Sequence, residues 1–217
     1  EATIGDKGIQ LNLKSGESHI LITSNKPVNE WDLGSKVKVN EKEAIAAADS
    51  KTIDLTENAW KLSFTEDAPK VGETFNLKGV KSWEGLSEKA KVMMGTGVYE
   101  TTIKLSKDDA KKQWTIDLGD VRESARVYIN NKYVGCAWAV PYILNCKDAL
   151  NKGKNTIRIE VTNLPANRIA EMDRKGVKWR KMKEINVVDI NYKKTTYEKW
   201  TPMPSGLNST VKLVEIK

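Results

Sequence analysis

The feature that most constrains this chain is a period of two that recurs along most of its length. Trp60, Leu62 and Phe64 alternate with polar residues in "WKLSF", and Tyr99, Thr101, Ile103 and Leu105 do so in "YETTIKL". Trp114, Ile116 and Leu118 follow in "WTIDL", Ala125, Val127 and Ile129 in "ARVYI", and Ile157, Ile159 and Val161 in "IRIEV". Val211 and Leu213 open a closing strand that ends at Ile216. Successive side chains of a strand point to opposite faces, so each stretch buries one face and wets the other. Polar turn signals separate them: Asp117-Leu118-Gly119-Asp120, Asn130-Asn131, Asn151-Lys152-Gly153-Lys154-Asn155 and Ser205-Gly206. With no long amphipathic helix, this pattern predicts an all-β, antiparallel sandwich. The one helical candidate, Ser87 to Met94, reads as a short surface turn.

The stretch "INNKYVGCAWAVPYILN", Ile129 to Asn145, predicts a hairpin. Asn130 and Asn131 tolerate positive φ and suit a two-residue turn. Tyr133 and Val134 start the return strand. Gly135 fits a bulge or a close backbone approach, and Pro141 marks an edge or a bend because it has no N–H for a ladder. Tyr142, Ile143 and Leu144 then cross into the other sheet. Trp138 and Tyr142 are either core between the sheets or a stacking platform at the rim. Trp60 and Trp114 begin strands and read as core; Trp83 and Trp200 lie in loops without an assignment.

Before the main run, Ile9, Leu11 and Leu13 alternate, "KSGES" turns, and Ile20 and Ile22 continue. Residues 1–24 thus read as a hairpin left from a preceding β domain, with His19 on its exposed face, and a single hairpin cannot bury a face alone. Residues 25–58 read as a linker with short strands, and 59–217 as the sandwich. The chain opens at Glu1 without a charged-then-apolar leader, so we expect a processed or excised piece of a longer protein.

The 217 residues are 39% hydrophobic and 30% charged, with a formal net charge of +7. The apolar runs fall far short of the roughly 20 residues that cross a bilayer. Two cysteines, Cys136 and Cys146, exclude a disulfide scaffold or a zinc site; they read as buried free thiols, with a single bridge open if their strands are neighbours. No Gly-rich phosphate loop, Gly-x-Ser-x-Gly elbow or clustered Cys/His spacing is present. Glycoside hydrolysis needs two carboxylates roughly 5 to 9.5 Å apart. Nothing pairs two of the 29 acids here, so no catalytic residue and no metal ligand is assigned.

Three strings carry a family resemblance: "GTGVYETTIKL", "WTIDLGDVRESARVYINNKYVGCAWAVPYIL" and "LNKGKNTIRIEVTNLPANR". Together they resemble the jelly-roll sugar-binding domain of family 2-type glycoside hydrolases, with Asn130-Asn131 where Asn-Gly is usual. The tail "NRIAEMDRKGVKWRKMKEINVVDINYKK…PSGL" is similar to the C-terminal module of large bacterial glycosidases such as family 106 α-L-rhamnosidases. The resemblance implies a galactose-binding-like jelly roll, a non-catalytic accessory module of a polysaccharide-degrading hydrolase. It further implies a periplasmic or secreted location in a bacterium and the catalytic domain of the parent chain as a partner. A purely structural sandwich that docks onto its enzyme is the alternative. Such folds often carry a structural Ca²⁺, for which no ligand set is legible; no other cofactor is implied.

Residues 163–200 form the informative segment. They run 38 residues between two strands, and loops beyond roughly 12 to 15 residues are usually functional or disordered. From Asn163 to Lys183 seven basic residues face two acids, a local balance of +5. One reading is a carbohydrate surface. There Trp179 stacks on a sugar face, Asn163, Asn167, Arg168, Asp173 and Arg174 bond its hydroxyls, and the cations suit an acidic plant polysaccharide. A second is a structural loop in which Asp173 and Arg174 pair locally and Trp179 is buried. Nucleic-acid binding is set aside, since no nucleic-acid fold motif accompanies the basic strip.

Overall fold

The computed structural model describes residues 50–181, 191 and 195–216. The hairpin and the greater part of the linker expected before residue 50 lie outside these described residues, as does Lys183.

Among the described residues twelve strands and two α-helices follow one another. They are β1 (Thr52–Asp54), β2 (Ala59–Ala68), β3 (Phe75–Lys78), α1 (Glu88–Val92), β4 (Met94–Leu105) and β5 (Gln113–Asp117). Then come β6 (Val121–Arg122), β7 (Ser124–Ile129), β8 (Lys132–Ala137), β9 (Ile143–Asn145) and β10 (Gly153–Thr162). The last are α2 (Ala166–Arg174), β11 (Gly206–Leu207) and β12 (Lys212–Ile216). A six-stranded sheet runs in the order β3-β2-β4-β10-β7-β8 and a four-stranded sheet in the order β1-β12-β5-β9, with β11-β6 as a short pair. Every pairing is antiparallel. The all-β antiparallel sandwich predicted from the alternation is therefore what the chain forms.

The alternation explains the core. From the six-stranded sheet Trp60, Leu62, Tyr99, Val127, Ile157 and Ile159 point inward, and from the other Trp114, Ile116 and Leu213 meet them in one buried cluster. Each such side chain contributes roughly 1.5–3 kcal/mol by leaving water. Both cysteines are free. Cys146 is buried, and that burial pushes its thiol up to about 12.

The Ile129–Asn145 stretch folds as its residues dictate. Asn130 and Asn131 take φ of 52° and 64° and connect β7 to β8 in two residues. The β7–β8 register shifts between Val127 and Tyr128, which face Gly135 and Tyr133. A Cβ on Gly135 would sit 3.2 Å from Leu144, so the glycine serves a bulge and a close approach together. β8 belongs to the six-stranded sheet and β9 to the other, so the bend at Pro141 is the crossing.

Four details differ from the sequence reading. Thr52–Asp54, on the linker side of the expected boundary, pairs with Lys212–Val214 as an edge strand of the sandwich. Phe75–Lys78 is a further edge strand, too short for periodicity to reveal. The helical turn after Ser87 is not confined to the surface. Ser87 Oγ caps it by accepting from the Ala90 amide, and Ala90 and Val92 are buried. Trp83, unassigned from sequence, is fully buried in a one-turn 3-10 helix.

Trp83 shows how the sandwich is closed. Its indole Nε1 donates to the Tyr99 hydroxyl at 2.7 Å, which also accepts from the Leu207 amide at 3.2 Å and donates to the Lys81 carbonyl at 3.0 Å. Gly97 lies under the indole, and Gly206, at φ 91°, lies against both Trp83 Nε1 and the Tyr99 hydroxyl; a Cβ at either position would overlap these atoms. Gly206→Ala is expected to cost at least about 2 kcal/mol, from the positive φ and the overlap together. Tyr99→Phe is expected to cost about as much by orphaning buried donors. Chemical denaturation reads both; wild-type stability in either variant would show that the Trp83–Tyr99–Gly206 node does not close the fold.

Candidate functional site

The segment after β10 is built around two asparagines whose amides are spent on main chain. Asn163 Oδ1 accepts from the Gly95 amide at 3.0 Å, and its Nδ2 donates to the Met93 carbonyl at 3.0 Å and Ser205 Oγ at 3.2 Å. Asn167, buried on α2, accepts from the Met203 amide and donates to the Met203 carbonyl, both at 2.8 Å. Together they fasten the start of β4, the start of α2 and the 203–205 strip to one another.

The segment is not one long loop. Nine of its residues form α2, whose Asn167 and Ala170 face inward. Beyond α2, Asp173 organises an aromatic cluster. Its Oδ1 accepts from Trp179 Nε1 at 2.6 Å and its Oδ2 from the Tyr197 amide at 2.8 Å. The Trp179 and Tyr197 ring centroids lie 6.5 Å apart, and Tyr197 and Trp200 4.6 Å apart. The Arg180 guanidinium lies over both Trp179 and Tyr197, at 5.0 and 5.5 Å. Arg174 pairs with Glu171 at 3.1 Å and donates to the Glu198 and Trp200 carbonyls. Lys175 and Arg174 hold the Glu171 carboxyl below the usual range. Of the six expected residues in this segment, Arg168 alone has a side chain without a hydrogen-bond or ion-pair partner among the described residues.

Trp138 and Tyr142 sit elsewhere, at the bend after β8. Trp138 is 76% exposed and Val140 is exposed beside it in sequence, so the core option does not hold for Trp138. The chain leaves the sheet at Ala137, one residue before the ring. Tyr142 is half-buried and packs on the core. Burial raises its hydroxyl above the ordinary range, and the nearby Glu123 carboxylate adds to that. The eight residues singled out from sequence thus fall into two groups: Trp138 and Tyr142 at the bend, and the other six around α2.

Three apolar residues flank these clamps at the α2 end. Met94 lies between the two main-chain groups that Asn163 clamps, Leu164 follows Asn163, and Met203 is held by Asn167; all three are exposed. Sequence reasoning also missed a tyrosine pair on the hairpin. Tyr128 and Tyr133 face each other across β7 and β8, with centroids 5.4 Å apart. Their parity on opposed strands was legible, but only once the bulge fixed the register.

Among the described residues no three His, Cys, Asp or Glu side chains come together as a metal would require. Asp109, Asp120 and Glu215, carboxylates of the kind that hold Ca²⁺, are each engaged with a cation, Lys51, Arg122 and Lys112. These residues do not fit a calcium site.

The family described as glycosyl hydrolase 2 galactose-binding domain-like matches residues 85–205, more than half of the chain. The chain belongs to that family. A Formosa agariphila protein named "Putative beta-glucuronidase" is 27% identical over 232 aligned positions, covering 95% of this chain and 20% of that protein. A rhamnosidase from Novosphingobium sp. PP1Y superposes with a TM-score of 0.61 at 24% identity, over 82% of this chain and 16% of that one. A Bifidobacterium dentium β-glucuronidase gives a TM-score of 0.55 at 16% identity, over 78% and 31%. These structures share the fold, and this galactose-binding-like domain spans a minor part of each relative's length.

Asn163 and Trp179 predict separable outcomes. Asn163→Ala strands the Gly95 amide and the Met93 carbonyl, and is expected to lower the melting temperature by roughly 5–15 °C. Trp179→Phe keeps a ring beside Tyr197 but removes the bond to Asp173; a drop of only a few degrees is expected, since the site is half-exposed. Equal effects by differential scanning calorimetry would mean that Asn163 is not the anchor of the segment.

Proposed function

We propose that this domain is a non-catalytic, carbohydrate-associated accessory module of a larger polysaccharide-degrading glycoside hydrolase, exported to the periplasm or beyond. The observation that carries the reading is a sandwich of the galactose-binding domain-like family that spans 20% of its glucuronidase-named relative. Such a domain leaves hydrolysis to other parts of the protein and lends them a surface. On this reading the Trp138 bend meets sugar. An exposed indole offers an apolar plane to the C–H face of a pyranose.

A second reading is favoured by the apolar set at the α2 end. Met94, Leu164 and Met203 stand exposed on segments that Asn163 and Asn167 hold in place. An apolar surface fixed in this way suits docking against another domain of the same hydrolase. The two readings occupy different parts of the domain and are compatible.

Two outcomes are expected. Incubated with aryl glucuronides, aryl rhamnosides or plant polysaccharides, the chain releases no sugar above blank; turnover abolished by a single Asp or Glu substitution would defeat the accessory reading. In affinity gels containing neutral plant glycans, Trp138→Ala loses the retardation of the wild-type chain without a change in melting temperature. If the wild type is not retarded by any glycan, while Leu164→Ser with Met203→Ser destabilises the longer hydrolase and not the isolated chain, the docking reading stands alone.

A further inference from the structure

We propose that the outer face of the six-stranded sheet binds an acidic polysaccharide, a polyuronate, through the unpaired lysines Lys104 and Lys154 and the Tyr128–Tyr133 pair. The face is made of the strand positions that the core does not use. Six cations stand on it, Lys61, Lys78, Lys104, Arg126, Lys154 and Arg158, against two carboxylates, Glu100 and Glu160. The carboxylates are already matched. Glu100 sits between Lys61 and Arg158 in the cross-strand register, and Glu160 pairs with Arg158.

Lys104 and Lys154 are different. They are direct partners across β4 and β10, both exposed, since the neighbouring pair Ile103–Asn155 is buried. Like charges so placed, with Cβ atoms about 5 Å apart, destabilise a sheet. Neither lysine has an ion-pair partner among the described residues. A local rule broken without compensation is what a ligand site looks like before its ligand arrives. A carboxylate between the two ammonium groups would turn the repulsion into attraction.

Next to this pair the surface is shaped for a sugar. Thr102 and Thr156, the following pair on the face, line a shallow depression of about 380 Å³ with Lys61, Asn76 and Glu100. Hydroxyl, amide and carboxylate groups there suit the hydroxyls of a pyranose. Further along β10, Arg158 lies 4.0 Å over the Tyr128 ring and fixes it, while Tyr133, 54% exposed, offers the open ring. Lys154 and Arg158 are four residues apart on one strand, so the face spans about 13 Å along the strand. That length accommodates an oligosaccharide rather than one sugar. Trp138 lies beyond the end of β8 and outside this set, so the proposal stands or falls separately from the sugar contact at the bend.

Affinity electrophoresis of the 217-residue chain tests it, with gels containing polygalacturonate, neutral galactan, polyglutamate or single-stranded DNA. Polygalacturonate is expected to retard the chain more strongly than neutral galactan does. Lys104→Gln with Lys154→Gln should weaken that retention by about threefold to tenfold at low salt, the size of two exposed charge contacts. The difference should close near 1 M salt, where the Debye length is about 3 Å. Tyr133→Ala should weaken it about tenfold with little dependence on salt, as loss of a stacking contact does. Polygalacturonate should raise the melting temperature of the wild type more than that of the lysine variant, which itself should melt no lower than wild type. The proposal is overturned if polygalacturonate does not retard the chain, or if the lysine and tyrosine variants are retarded as strongly as wild type. It is also overturned if polyglutamate or DNA retards the chain equally and Tyr133→Ala changes nothing, since bulk charge alone would then account for binding.

Discussion

The closure of this sandwich depends on one buried hydroxyl. Tyr99 Oη takes hydrogen bonds from Trp83 and from the Leu207 amide and gives its own to the Lys81 carbonyl. A buried polar group without partners costs roughly 1–3 kcal/mol, so a hydroxyl with all its capacity used is a strong positional demand. It fixes the Trp83 turn and the β11 strip relative to the central strand β4. Those elements then decide where the segment after β10 can return. Gly97 and Gly206 belong to the same demand, since each lets the main chain approach the indole where a side chain could not fit. The hydroxyl is also locked in its neutral form, because burial pushes its ionisation well above the ordinary range.

A second network of the same kind sits at the opposite end of β10. The Asn130 amide donates to the Ala149 carbonyl and Asn155 Oδ1, and its Oδ1 accepts from the Thr156 amide. Asn155, buried, bridges Asn151 and Gly153. Five of the residues within the strings that carried the family resemblance, Gly97, Tyr99, Asn130, Asn155 and Asn163, are ones whose side chains or lack of one hold main chain in place. The resemblance was informative about fold for that reason. It was less informative about ligands, because residues committed to the scaffold have nothing left for a sugar.

The same distinction sets what was legible. Strand identity, sheet class and the two-residue Asn130-Asn131 turn follow from period and turn chemistry, and each appears where those rules put it. The helix α2 was hidden because its usual start signals are missing. Pro165 is its N-cap with no side-chain cap, its first turn holds no acid, and one of its two inward positions is an asparagine. Asn167 reads as a ligand-binding type in isolation, yet its partner is the Met203 main chain 36 residues on, which no local pattern encodes. Trp83 escaped assignment for the same reason: its partners, Tyr99 and Gly206, lie 16 and 123 residues away. Trp179 was weighed between stacking and packing; it is half-exposed, with its indole N–H on Asp173 and its ring beside Tyr197.

What remains for function is what the scaffold has left over. Around α2 the cations are drawn into holding the segment: Arg174 bonds main chain, Lys175 bonds Glu171, and Arg180 covers two rings. The local charge balance that made this segment look like an anion site is thus partly structural. On the outer face of the six-stranded sheet the reverse holds. No core demand explains why Lys104 and Lys154 are opposed, since a Thr or Glu at either position would suit the strand and remove the repulsion. Stability alone would favour that change, which is the ground for the anion site proposed there. Specific surfaces in such domains are better sought among side chains that break a local rule than among residue types that suit a ligand.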